Sequence, residues 1–540
     1  MILSSALFII VLDNTILNVA VPTIIRDFHT QVSSLQWVIS GYSLVFASLL
    51  ISFGRLGDIF GRRKLFFAGA GLFAVGSLIA SMSHSVVQLF IGESLLEGVG
   101  AAMMLPATLS ILSATFQGRE RGVAFAVWGS VAGGAGALGP WIGGILTTDY
   151  SWRWAFRVNV VIAPLAILAG IFYVHDSRDE RAKGIDLPGV ATVTVGLLAL
   201  VFGIIEAARY GWFKPIGDQS IGGWDWPLGG VSIVPVALLV AVIFLTIFVR
   251  LELARVKAGK NVVFDFSDLV HKGFRYGLIN TTVLAMGEFG AFFVLPIFLQ
   301  AGLHLTAIKS GTWLLPAGIM AFFGGGLGGQ LSKRHGPKYV ITVGLALEAC
   351  GIWWYVFAFS DHTSFLALLP GLMLHGIGIG FATSQLTNVV LSDIPPAKAG
   401  SASGAAGMVR QVGTALGIAL IGAIFVSAAT SHVRHDLKQA KDIPAPIATK
   451  VAASVGDGVG GGAPDGADTN TPIGRHIAQI VSDGVSDAAK PAVAFAGVVV
   501  TLGALISLLV PNIPAEGQRG GAGGAPPTPA VAGAGPPTDG

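Results

Sequence analysis

Apolar stretches long enough to cross a bilayer recur along this chain almost without a break. They fall at 2–25, 36–56, 65–84, 87–107, 123–146, 154–175, 188–208, 228–250, 276–299, 309–330, 338–360, 364–388, 403–427 and 491–511. A helix rises about 1.5 Å per residue, so roughly 20 apolar residues span the hydrocarbon core. Fourteen runs of that kind predict an all-α integral membrane protein. With 53% hydrophobic and only 12% charged residues, the chain could not present a soluble globule to water. Its 74 glycines suit helices that approach one another closely.

Basic residues set the orientation. If the N-terminus is inside, alternate loops hold Arg62-Arg63-Lys64, Arg119 and Arg121, Arg178 to Lys183, Arg250 to Arg275, Lys333-Arg334 with Lys338, and Lys398. About twenty of the 33 basic residues are then cytoplasmic and about six lie in short outer loops. This predicts a multi-pass protein of a bacterial plasma (inner) membrane with both termini cytoplasmic. The first run lacks a basic leader and a small-residue cleavage site, so it reads as a retained helix. Residues 428–490, Gly-rich at their centre, read as an outer loop, and 512–540 as a disordered Pro/Gly/Ala tail. Cys350 reads as a small buried hydrophobe.

The chain resembles itself. GRLGDIFGRRK (54–64) matches GQLSKRHGPKY (329–339), a shift of 275 that carries Asp13 onto Glu288. LLEGVG (95–100) matches MLHGIG (373–378), shifted by 278, which pairs Glu97 with His375. Gly122, Gly129, Gly139 and Gly144 match Gly400, Gly407, Gly417 and Gly422 at the same shift. Two pseudo-symmetric six-helix bundles follow, with two extra helices between them. The predicted divisions are 1–175, 176–275 for the inserted pair and linker, and 276–511. Such halves with a midplane site between them are transporter architecture.

Asp13 lies about 18 Å along its helix, near mid-membrane. A carboxylate there costs several kcal/mol and marks a functional site by default. Asn14, Thr15 and Asn18 form a polar arc with Asp13 at its edge, predicted to face a cavity. Asp13 either couples a proton or cation or sets helix packing through hydrogen bonds, and Glu288 is its mirror. Glu93 and Glu97 are four apart, hence on one helical face, where two carboxylates do not both ionise readily. Arg410, inside a span, needs a counter-ion: Glu288, Glu93 or Glu97. Asp58 can pair with Arg62 and face the N-terminal end of the helix near Gly400, in a turn where Gly54 and Gly61 allow close backbone approach beside Arg63. Trp152, Arg153, Trp154 and Asn159 lie at an outer helix end, where tryptophan anchors interfaces. Glu206 and Glu348 read as snorkelling side chains near helix ends. Phosphate-binding loops, metal-ligand spacing and nucleophile–base pairs are not evident, so no ATP motor, metal, cofactor, nucleic-acid partner or enzyme activity is expected.

LDNTILNVAVP (12–22), GRLGDIFGRRK, GALGPWIGG (136–144), WRWAFRVNV (152–160) and GSASGAAGMVRQVGTALG (400–417) resemble motifs of the major facilitator superfamily, in particular its fourteen-helix drug:proton antiporters. The resemblance implies alternating access, a remade cytoplasmic latch at loop 2–3, and an antiporter motif at Gly139, Pro140, Gly143 and Gly144. One departure stands out, because Ser94 occupies the position of the family's arginine, and Glu97 or His375 is then the candidate to replace it. The expected function is proton-coupled export of small amphipathic, cationic drugs, with membrane lipids as surroundings. Export of a physiological metabolite or siderophore, or lipid translocation, stays open.

Overall fold

The computed structural model describes residues 2–115, 131, 135–136, 138–174, 184, 186–215, 220–221, 224–227, 230–394, 399–440, 443–444, 447–448, 451 and 471–512. Thirteen helices among them are long and apolar enough to cross a membrane. The first half contains α1 (Ile2–Phe28), α2 (Val32–Phe60) and α3 (Arg62–Ser81). One further span joins α4 (Val86–Leu89), a π-helical stretch (Phe90–Glu97) and α5 (Gly98–Thr115), and α6 (Trp154–Tyr173) follows. Next come α7 (Leu187–Ile205), a hairpin of β1 (Ser220–Ile221) and β2 (Trp224–Asp225), and α8 (Ile233–Lys257). The second half is α9 (Lys272–Ile297), α10 (Ala307–His335), α11 (Pro337–Ala358), α12 (Phe365–Ser392), α13 (Ala399–Gln439) and α14 (Pro472–Ser507). Residues 123–130, 132–134 and 137 of the expected helix at 123–146, the tail from 513 and the loop residues 116–122 and 175–183 lie outside the described residues.

The repeat is visible in how the helices pack. A side chain on Gly69 would stand 2.8 Å from Gly100 O, and one on Gly344 would stand 2.9 Å from Gly378 O. Gly76 faces Gly92 O at 2.7 Å in the same sense, and Gly351 faces Gly371 O at 2.6 Å. These pairs match at shifts of 275 to 279, so the contact of α3 with α5 is rebuilt between α11 and α12. Both halves turn from their second to their third helix at a glycine with positive φ, Gly61 at 110° and Gly336 at 83°, which a side chain would strain.

The inserted helices α7 and α8 pack on each other where Gly196 and Gly203 admit Leu245 and Leu238. They dock on α2 through Trp37 Nε1, which donates to Glu206 Oε1 at 3.0 Å. Glu206 is therefore a buried acceptor rather than a snorkelling side chain. Val161, Leu165, Leu168 and Phe172 leave an exposed apolar stripe down α6 at helical spacing, the face that suits lipid. Cys350 is exposed on α11, against the expectation of burial.

The two halves meet at the end of the bundle that carries the α1–α2 loop. Gln300 Nε2 donates to Val19 O at 2.9 Å, Ile308 N to Thr148 Oγ1 at 2.9 Å, and Gln36 Nε2 to Ile418 O at 3.2 Å. Gly144 lies against Ala307 O, and Gly311 against Pro140 O. These contacts obey the repeat, because Gly311 is the counterpart of Gln36 (shift 275) and Ile418 that of Pro140 (shift 278).

The expectation of a loop over 428–490 is corrected. Helix α13 runs on to Gln439 and α14 begins at Pro472, capped by Thr471, whose Oγ1 accepts from Gly474 N. The reason is apolar periodicity beyond the membrane-length run. Val433 and Leu437 on α13 bury against a cluster that includes Ile477, Ile480 and Val481 on α14, and Gly484 leaves room for Val433.

Candidate functional site

In the first half three acidic groups converge in the buried interior. Asp13 is 1% exposed, Glu93 1% and Glu97 0%. Each presents one carboxylate oxygen, and these atoms all lie within 4.8 Å of one another. Three features assemble them. The π-helical stretch at Phe90–Glu97 widens the turn so that Glu93 and Glu97 both face inward. Gly76 on α3 clears space for Glu97, since a side chain there would come within 2.8 Å of its Cγ. Asn159 on α6 donates from Nδ2 to Asp13 Oδ1 at 2.7 Å. Asp13 Oδ2, Glu93 Oε2 and both Glu97 oxygens have no hydrogen-bond partner. Local spacing could not reveal this cluster, because Asp13 is 80 residues from Glu93 (93 − 13).

The arc beside Asp13 turns back on its own helix. Asn14 Nδ2 donates to Ile10 O at 2.8 Å, Thr15 Oγ1 to Val11 O at 2.9 Å, and Asn18 Nδ2 to Asn14 O at 3.0 Å. Asn14 and Thr15 are half-buried and Asn18 is buried. The expected single polar face is thus divided, with Asp13 turned into the first half. Thr15 instead packs against Gly139, Ile16 against Gly143, and Gly144 against α10. Gly139, Gly143 and Gly144 therefore line α1 and the seam between the halves, together with Pro140, whose carbonyl meets Gly311.

The second half places its charges differently. Arg410 Nη2 stands 3.2 Å from Glu288 Oε2, with the side chains 31% and 15% exposed. Of the three candidate counter-ions, Glu288 is the one that Arg410 meets. Gly413 and Gly417 let α13 lie against the α9 backbone at Thr282 O and Met286 O, which brings the pair together. Behind it, Glu348 is 0% exposed at the middle of α11, not near an end, so the snorkelling expectation is corrected. Glu348 Oε1 is 3.9 Å from His375 Nε2, and His375 Nδ1 is 3.0 Å from Tyr355 Oη. Phe292 stacks on the imidazole with centroids 5.2 Å apart. His375 thus serves a network of its own half and does not join the first-half carboxylates.

Two residues of the WRWAFRVNV stretch form a clamp rather than simple interface anchors. Trp152 Nε1 and Arg153 Nη1 both donate to Asp27 Oδ2 at 2.9 Å, and Arg153 Nη2 donates to Ser83 O at 2.9 Å. The clamp ties the ends of α1, α3 and α6 together. At the opposite end Arg63 Nη2 donates to Ile171 O at 2.8 Å and stacks on Phe67. Gly54 packs on Pro106 and Gly61 turns the chain, while the Asp58 side chain expected to pair with Arg62 lies outside the described residues. Sequence reasoning missed Asn159 and Glu348 as site residues. The signal available was a polar residue inside an apolar span, near one end of α6 for Asn159 and at the middle of α11 for Glu348.

Known proteins resemble most of the chain. Residues 3–418 match the family model described as Major Facilitator Superfamily. The chain is 31% identical to the puromycin resistance protein pur8 of Streptomyces alboniger, over 79% of this chain and 82% of that protein. It is 27% identical to the riboflavin transporter RibZ of Clostridioides difficile, over 78% and 87% respectively. A solved bacterial homologue of the human lysosomal transporter Spinster, inward-facing and unoccupied, shares the fold. Its TM-score is 0.60 at 14% identity, covering 94% of this chain and 96% of that one.

Proposed function

The chain belongs to the Major Facilitator Superfamily, and from that premise we propose that it is a proton-coupled exporter of amphipathic, cationic compounds working by alternating access. In this reading it sits in the bacterial plasma membrane with both termini cytoplasmic. The bundles 1–175 and 276–511 rock about the seam, and 176–275 rides with them. The observation that carries the reading is the contrast in carboxylate placement. Three are sealed inside the first half, while Glu288 is partly exposed beside Arg410.

The division of labour follows from exposure. Asp13, Glu93 and Glu97 hold the coupling proton where no bulky ligand can reach, and Glu288 meets the substrate. A cationic substrate at Glu288 competes with Arg410 for the same carboxylate. Each ligand shifts the equilibrium between access states only through its differential affinity for them. The Gly54–Arg63 turn acts as the latch at the cytoplasmic end. The resistance named in the relative pur8 supports a drug substrate.

Proteoliposomes with an internal pH dye test this reading. Puromycin or ethidium added to wild type should move protons, and Asp13→Asn should abolish the signal. Wild type silent to both compounds, with its fold intact, would overturn drug:proton antiport. The relative RibZ favours a second reading, transport of a metabolite. Riboflavin uptake into or release from the same vesicles, with no response to cations, would establish it.

A further inference from the structure

We propose that the sealed cluster of Asp13, Glu93 and Glu97 is a binding site for a hard, oxygen-liganded metal cation of sodium or calcium size. The inference deepens the export reading, since it concerns the carboxylates to which that reading assigns the proton.

The first argument is the donor set. Besides one oxygen from each acid, three neutral oxygens are buried around the cluster with no hydrogen-bond partner: Ser77 Oγ, Tyr42 Oη and Asn159 Oδ1. Ser77 on α3 neighbours Glu97, and Tyr42 on α2 lies near enough to feel the charge of Asp13, Glu93 and Glu97. The Asn159 amide nitrogen is already spent on Asp13, so its oxygen is the atom left over. Ser77 and Tyr42 are both 0% exposed. Oxygen donors alone, without imidazole or thiolate, select hard cations over the softer transition metals.

The second argument is charge. Three carboxylates in a sealed, low-dielectric space require compensation. Ser94, between Glu93 and Glu97, adds no charge to offset them, and its Oγ donates to Val38 O at 2.7 Å. A proton on one acid can be donated to another acid or to one of these neutral oxygens, one contact per proton, whereas a single cation can take several oxygens at once.

The third argument is dehydration. Calcium accepts flexible cages of protein oxygens at about 2.3–2.6 Å, whereas magnesium dehydrates reluctantly and usually keeps several waters, which a sealed site does not supply. The carboxylate oxygens here lie within 4.8 Å of one another, close enough to share one such ion.

The test is cation binding to the purified full-length protein in detergent, stripped with chelator and kept at constant ionic strength with choline chloride. Radioactive sodium and calcium are titrated separately, and magnesium is added as a competitor. One ion of sodium or calcium per chain is expected, displaced poorly by magnesium. Glu97→Gln should weaken it at least about tenfold, because one of three charged ligands is lost. Ser77→Ala removes a neutral donor without stranding a charge and should weaken it a few-fold even if Glu97→Gln does not fold. Asp487→Asn, in an exposed ion pair with Lys490, should bind as wild type does. Absence of saturable binding of either ion, preference for magnesium, or binding untouched by both variants would overturn the proposal. Repeating the proton-movement assay in choline alone separates the two readings. Proton movement without cation binding leaves antiport standing and removes the metal site. Cation binding without proton movement does the reverse.

Discussion

The two halves share a backbone plan and differ in what they bury. Gly69 with Gly100 and Gly344 with Gly378 bring equivalent helices to equivalent distances. At the same places the side chains diverge. Glu97 meets two other acids, whereas its counterpart His375 meets Tyr355 and Glu348. Asp13 is sealed and accepts from Asn159, whereas its counterpart Glu288 is partly exposed and pairs with Arg410. Glu348 itself stands where the first half has Phe73 (73 + 275). Close packing of small residues fixes the helix positions, and the space so defined accepts quite different charges. One half has become a closed acidic chamber, and the other holds a partly exposed ion pair between α9 and α13.

The largest expected effect breaks the symmetry at the seam. Gly144→Val would drive a side chain into Ala307 O and Ile308 Cα, which are backbone atoms and cannot swing away. Overpacking of that kind costs about 1–3 kcal/mol, or roughly 5- to 150-fold in the population closed at this end. Gly422→Val, its counterpart, meets mainly the flexible Gln36 side chain, so its effect should be smaller. Thiol accessibility of cysteines placed at the α1–α2 loop end would read both. Equal effects, or a larger one at Gly422, would break the account of the seam.

Within the chambers, Asn159→Ala removes the donor to Asp13 and should destabilise the protein by about 1–3 kcal/mol, as loss of a buried partner does. Thermal unfolding in detergent measures it. The pair in the second half is more exposed, so a double-mutant cycle of Glu288→Gln and Arg410→Gln should show a coupling of only about 1 kcal/mol. A coupling there above the cost of Asn159→Ala would reverse the contrast between a sealed and an open half.

The fold was legible because hydrophobic runs and glycine spacing are properties of the chain itself. The repeat shift found Glu288 from Asp13 and His375 from Glu97 for the same reason. The acidic chamber was legible only in pieces. Asp13, Glu93 and Glu97 each stood out as a charge in an apolar run, but their meeting depends on α1, α6 and a π turn that no local pattern announces. Glu348 was misjudged because it has no charged counterpart to draw attention to it. The extension of α13 and α14 past the membrane was hidden by the Gly-rich centre of 428–490, although Val433, Leu437, Ile477 and Ile480 recur at helical spacing on either side of it.

The smallest expected effect is at Gln36. Its Nε2 donates to Ile418 O, whereas the equivalent position in the other half is Gly311, packed directly on Pro140 O. Gln36→Gly would therefore make the two sides of the seam alike. The carbonyl of Ile418 lies inside α13 and keeps its helical hydrogen bond, so no acceptor is stranded. The loss is then that of one ordinary hydrogen bond, about 0.5–1.5 kcal/mol, together with roughly 0.5–1 kcal/mol for a glycine inside α2. Part of it is offset, because Gln36 Oε1 is buried without a partner and its removal relieves that burden. Unfolding temperature should fall by only a few degrees, while thiol accessibility at the α1–α2 loop should rise by a factor of a few, since the bond joins the halves and not the helices of one half. A large drop in unfolding temperature with unchanged accessibility would place Gln36 in the stability of the α2 bundle instead of in the seam.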